Sequence, residues 1–367
     1  MKFRVSEGAG FFLLGQRKTI FVESSQHLFE IDDLTAFLTC ALAEPASPKQ
    51  LETALVARGA SQATARASVR KYLAYWSRQG LLDILIDEEE GPPTCGQVLD
   101  LAGTAVSIAY HDRSLAELVV PIFEHLALAE RKPSIVYEVA AFGKGACISR
   151  NRSRGAMVAV NEVAPALKAM LTDDVLAGLR RQVALHAALL VKNRLGLLIC
   201  GAPGAGKTTL ALALLAAGFA CGGDDIALLG EDGLVHGVPF AAALKQGSWG
   251  LLDEMGESIA AAPIHRRLDN KRVRYLASIR HAPKDAVSLR SIVLLRRRRI
   301  GPVTISAVEP ARALSELLSG AFTPARRLDL AQFETLLGAV RGARIIELSY
   351  SQLDEAVEAL SRHHEAE

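Results

Sequence analysis

The stretch Leu195–Gly218, LGLLICGAPGAGKTTLALALLAAG, most narrows what this chain can fold into. Its apolar opening reads as a buried strand, the glycine-spaced middle as a tight loop, and TTLALALLAAG as a helix that closes at Gly218. Gly201, Gly206, Lys207 and Thr208 fill the pattern G-x-x-x-x-G-K-[ST] in the strand-loop-helix context it needs. Glycines allow successive backbone N–H groups to converge on phosphate oxygens, and the helix N-terminus adds partial positive charge. The expected cradle for ATP is Gly201, Ala202, Pro203, Gly204, Ala205, Gly206, Lys207, Thr208 and Thr209. Lys207 would reach the terminal phosphates, and the Thr208 hydroxyl would ligate Mg²⁺. The competing reading is a glycine-rich turn with an exposed lysine.

A pair of carboxylates follows early. In FACGGDDIALLG, Asp224 and Asp225 stand 16 and 17 residues past Thr208, on the very next strand after the loop helix. Adjacent side chains on an extended segment project to opposite faces, so one can face metal and phosphates while the other turns elsewhere, unless Gly222 and Gly223 distort the strand. Phosphoryl transfer to a hydroxyl needs both an orienting carboxylate and a metal-side acceptor. The alternative is a solvated GGDD turn. Upstream, His186 in VALHAALLV lies before the loop, either as a satisfied core histidine or as part of the site.

The rest of the chain frames this segment. Among 367 residues, 42 basic side chains nearly balance 40 acidic ones, which argues against a protein built to hold nucleic acid along a charged stripe. Five scattered cysteines without a CxxC pair suggest free buried thiols in a reducing compartment rather than zinc or disulfides. No signal peptide and no apolar run of membrane-spanning length is recognisable, so a cytoplasmic protein without membrane attachment is expected.

Residues 1–88 read as a small α+β module. FFLLG and TIFVES form two strands, and three helices follow, beginning near Asp32 or Asp33, at Ser47-Pro48 and at Ser61. A linker is expected over 89–96, within and just after the acidic, proline-bearing DEEEGPPT. Residues 97–367 alternate strand and helix, which indicates a layered α/β domain. Two basic clusters, HRRLDNKRVRY and RRRR, read either as phosphate contacts or as solvated loops and strand ends.

At His186, the loop Gly201–Thr208 and the pair Asp224–Asp225, the sequence resembles the HPr kinase family, whose fold is shared with phosphoenolpyruvate carboxykinase. The resemblance runs over about Ala105 to Ser361, and VPFAAALKQGSWGLLDE is more similar to the HPr-kinase-related proteins of peptide-modification clusters than to the regulatory enzyme. It implies a P-loop kinase of that type, with Asp224 as base toward the acceptor hydroxyl, Asp225 and Thr208 at Mg²⁺, and His186 and Lys207 assisting. Glu231, Asp253 and Glu254 are candidates for a further metal-side carboxylate. The leading module resembles PqqD-like domains, winged-helix-like in build, which implies binding of a ribosomal peptide.

The expectation is therefore an ATP- and Mg²⁺-dependent kinase acting on a hydroxyl, a serine for preference, of a peptide or protein. Homo-oligomerisation is left open. The alternatives are a nucleotide-gated peptide-binding switch without transfer, or a kinase of small molecules; for the leading module they are DNA binding or purely structural packing.

Overall fold

The computed structural model describes residues 1–86, 91–128, 132–252, 255–322 and 327–366. It is a mixed α/β protein whose strands form several separate sheets. The chain divides into two compact units, one of residues 1–99, 105–120 and 127–167, the other of 100–104, 121–126 and 168–367.

In the first unit, Ala9–Leu14, Arg17–Val22 and His27–Glu30 make a three-stranded antiparallel sheet, and Lys2–Val5 pairs with Leu82–Leu85. Three helices intervene, each started by the cap its sequence advertises. Asp32 accepts from the Thr35 N–H, Ser47 forms a capping box with Gln50 ahead of Pro48, and Ser61 accepts from the Thr64 N–H. HLFE, outside the two strands expected here, is a third strand, because its backbone finds partners in Arg17–Val22.

Five further strands between Cys95 and Ala159 form one sheet. The expected linker lies partly on Asp87–Glu90, outside the described residues, and strand structure has begun by Cys95. Leu38, Leu73, Trp76 and Ile84 of the leading segment share a core with Ala140, Cys147 and Met157. Burying each large apolar side chain there contributes roughly 1.5–3 kcal/mol.

The second unit is built on parallel strands Leu195–Cys200, Val287–Arg297 and Arg344–Tyr350. Side-chain alternation sends Leu197 and Ile199 to one face, where they pack with Leu210 and Leu214 of the helix Lys207–Ala216 and with Leu360 of the helix Leu353–Glu365. Leu198 and Cys200 go to the other face, against Leu317 and Leu336 from the helices Pro310–Ser319 and Leu330–Gly342. A sheet covered on both faces explains why these strands read as unbroken apolar runs.

Of the five free cysteines, Cys147, Cys200 and Cys221 are buried, whereas Cys40 and Cys95 are exposed. No helix among the described residues is long and apolar enough to cross a membrane.

Candidate phosphate-binding site

The loop Gly201–Gly206 leaves the carboxyl end of the strand Leu195–Cys200, on the side of a mixed sheet where its three parallel strands end and ligands characteristically bind. Gly206 caps the following helix with φ +97°, a left-handed conformation that side-chain-bearing residues adopt at a penalty. A Cβ on Gly206 would also lie 2.9 Å from the Tyr350 hydroxyl. Gly206→Ala is expected to destabilise the second unit by about 1–2 kcal/mol, checked by thermal unfolding. Lys207 is buried, and its Nζ donates to the Gly201 carbonyl at 2.8 Å and the Ala202 carbonyl at 3.4 Å. Burial lowers its pKa against the opposing pull of nearby carboxylates.

The aspartates sit between strands rather than on one. Ala220–Gly223 ends just before them and Ala227–Leu229 begins just after. A Cβ on Gly223 would stand 2.9 Å from the Ile226 carbonyl and one on Gly237 only 2.1 Å from that of Gly222, so two backbone segments cross here in contact that only glycine permits. The crossing interrupts the strand and sends the two carboxylates into different surroundings.

Asp224 turns inward. It is 2% exposed; its Oδ2 accepts from the Ala243 N–H at 3.2 Å, and the Thr208 side chain lies close by. Oδ1 is buried with no hydrogen-bond partner among the described residues. Burial and the neighbouring Asp225 charge push its pKa up to about 6.

Asp225 turns toward an open cleft of about 420 Å³ that is also lined by His186, Gly206, Lys207, Thr208 and Thr209. Lys168 Nζ sits 2.5 Å from Asp225 Oδ2 and holds this carboxylate below its ordinary range despite burial. His186 lies in the break between the strands Val183–Leu185 and Ala188–Lys192. Its Nδ1 stands 3.1 Å from the Asp225 carbonyl oxygen, so this nitrogen carries the proton and Nε2 keeps its lone pair. Burial, then the Lys207 charge, lowers the pKa of this imidazole.

The structure thus brings His186, Lys207, Thr208 and Asp225 to one cleft with Asp224 behind Thr208, while Gly201, Ala202 and Ala205 line adjoining hollows. Glu231 is absent from this cleft and pairs with Arg181 at 2.5 Å. Asp253 and Glu254 lie outside the described residues. One of the two basic clusters supplies Arg267 and Lys271 to the cleft, held by Asp269 between them at 3.2 and 3.1 Å, and the other supplies Arg297. Arg296 is taken up by Glu316 and Glu347.

Sequence reasoning missed Lys168, Lys245 and Phe322. For Lys168 a signal existed: a single cation in the otherwise apolar opening of its helix, VAPALKAML.

Asp224, a buried carboxyl close to the Thr208 side chain, leaves Oδ1 without a partner among the described residues and so suits a hard divalent cation, which takes oxygen ligands and completes its shell with phosphate and water. No cluster of three or more acidic, histidine or cysteine side chains able to hold a metal alone occurs among the described residues.

Neither a family model nor a curated protein matches the chain. Among solved structures, the HPr(Ser) kinase/phosphatase from Coxiella burnetii is similar over 49% of this chain and 95% of its own, at 14% identity and a TM-score of 0.24. That likeness is too slight to bear on fold or activity.

Proposed function

We propose that the protein binds ATP with Mg²⁺ and transfers its γ-phosphoryl group to a hydroxyl of a peptide or protein, a serine for preference. The observation that carries this reading is the meeting of Lys207, Thr208 and Asp225 in one cleft, with the unpartnered oxygen of Asp224 behind it. In this reading the loop N–H groups and Lys207 hold the β- and γ-phosphates, for which Nζ swings away from the Gly201 carbonyl. Mg²⁺, when bound, neutralises charge developing on those phosphates. Thr208 and Asp224 would hold it.

Asp225, facing the cleft, orients the acceptor hydroxyl. The oxygen–phosphorus bond to the acceptor forms as the bridging bond to ADP breaks, and the hydroxyl proton passes to the Asp225 carboxylate and then to water. The geometry therefore supports exchanging the two aspartate roles that the family resemblance implies. The fully buried carboxylate close to Thr208 is better placed for the metal, and the half-buried one facing the cleft for the acceptor.

The leading module would hold the acceptor peptide. Ala9–Leu14 is an edge strand with Phe11, Phe12, Leu13 and Leu14 all at least 46% exposed, and an added strand would gain both main-chain hydrogen bonds and apolar contact.

Incubation with γ-labelled ATP, Mg²⁺ and candidate serine-containing precursor peptides, followed by mass spectrometry, should place a phosphate on a hydroxyl side chain. Tight ATP binding without label on any peptide or protein acceptor would instead favour a nucleotide-gated switch.

A further inference from the structure

Lys168 lies on the helix Val163–Gly178, between Leu167 and Ala169, with a side chain only 11% exposed. Its ammonium group reaches 2.5 Å from Asp225 Oδ2 and stands 5.6 and 5.8 Å from the ring centroids of Phe240 and Tyr275. Lys168 does not itself line the phosphate cleft. It approaches Asp225 from behind, while His186 holds the carbonyl of the same residue. Asp225 is thereby gripped at its main chain and at one carboxylate oxygen.

We infer that Lys168 is a positioning residue: by binding one oxygen of Asp225 from inside the protein, it fixes the carboxylate rotamer so that the other oxygen meets the acceptor above Lys207 and Thr208. The inference rests on the proposed function and adds a residue that neither the loop motif nor the aspartate pair identifies.

Two physical points support it. Burying a lysine–aspartate pair removes both charges from water, so a well-packed apolar pair of similar volume would be as stable or more so. Stability alone therefore does not account for the lysine. An aspartate lacking this contact would also sample several rotamers in an open cleft, and misplacing a reacting group by about 1 Å can lower turnover about 100-fold.

The test measures ADP release from ATP·Mg²⁺ with water as acceptor, together with nucleotide affinity, for wild type, Lys168→Met, Lys168→Arg, Asp225→Asn and the double variant Lys168→Met/Asp225→Asn. Lys168→Met should lower kcat about 100-fold while KM for ATP stays within about threefold, and Lys168→Arg should recover most of the loss. The double variant should turn over no more slowly than Asp225→Asn alone, because the two substitutions remove one shared arrangement. Should Lys168→Met fail to fold, the double variant, which removes both charges of the Lys168–Asp225 pair, carries the comparison. A Lys168→Met protein with near wild-type kcat, or a double variant much slower than Asp225→Asn, would overturn the inference alone. Wild-type protein that binds no nucleotide would overturn the proposed function with it.

Discussion

Asp225→Asn should abolish nearly all phosphoryl transfer, by about a thousandfold, while leaving ATP affinity within a few-fold of wild type. The amide keeps the shape of the carboxylate but cannot accept the hydroxyl proton, and Asp225 is not among the loop groups expected to hold the phosphates. The same substitution should be felt in stability. It leaves Lys168, 8% exposed, without its anion, and breaking a buried pair from one side typically costs about 3–5 kcal/mol. Single-turnover transfer and chemical unfolding, measured together, check both halves. Full transfer by the variant would remove Asp225 from the reaction. Unchanged stability would show that the lysine finds water or another partner.

Asp224→Asn should do the opposite to stability. In the folded protein, burial and the adjacent Asp225 charge push the Asp224 pKa to about 6 from an ordinary carboxyl value of 3.8. A carboxyl group whose folded pKa is raised binds its proton more tightly when folded, so its contribution favours folding at low pH. That contribution is lost as pH rises from about 4 through about 6. Above that window the ionised group opposes folding by up to about 3 kcal/mol, at about 1.4 kcal/mol per pH unit. Replacing it with a neutral amide should raise the unfolding temperature by several degrees at pH 7.5, at about 2–4 °C per kcal/mol, and make no difference near pH 4. Transfer should nevertheless fall, because a neutral amide is a far weaker ligand than a carboxylate for a hard divalent cation. A stabilisation equal at both pH values would mean that the charge is not its source.

Two neighbouring aspartates thus respond to one substitution with opposite signs. The difference comes from what each carboxylate faces. Asp225 meets a cation and Asp224 meets the interior, a hydroxyl and one backbone N–H. A buried group that destabilises the protein carrying it is commonly kept for function.

Local signals made much of the architecture legible. Ser47-Pro48 and Ser61 start helices because cap hydrogen bonds depend on residues within one turn of each other. The apolar run before Gly201 is a buried strand because both faces of its sheet are covered. The third strand, HLFE, is not legible in the sequence because its strand character depends on a partner strand and not on its own composition.

By itself, the sequence determined the phosphate loop. Its glycines, lysine and threonine act through backbone conformation within a single strand-turn-helix, where spacing along the chain is spacing in space. It also determined that two aspartates would follow close behind. Only the tertiary structure decided which of them faces the cleft, since that depends on the crossing of Gly222–Gly223 with Gly237 and on the strand that carries Ala243. It alone brought Lys168, 57 residues earlier in the chain, against Asp225. Charge pairing over such a separation is set by how helices and strands pack, and no periodicity or motif along the chain encodes it.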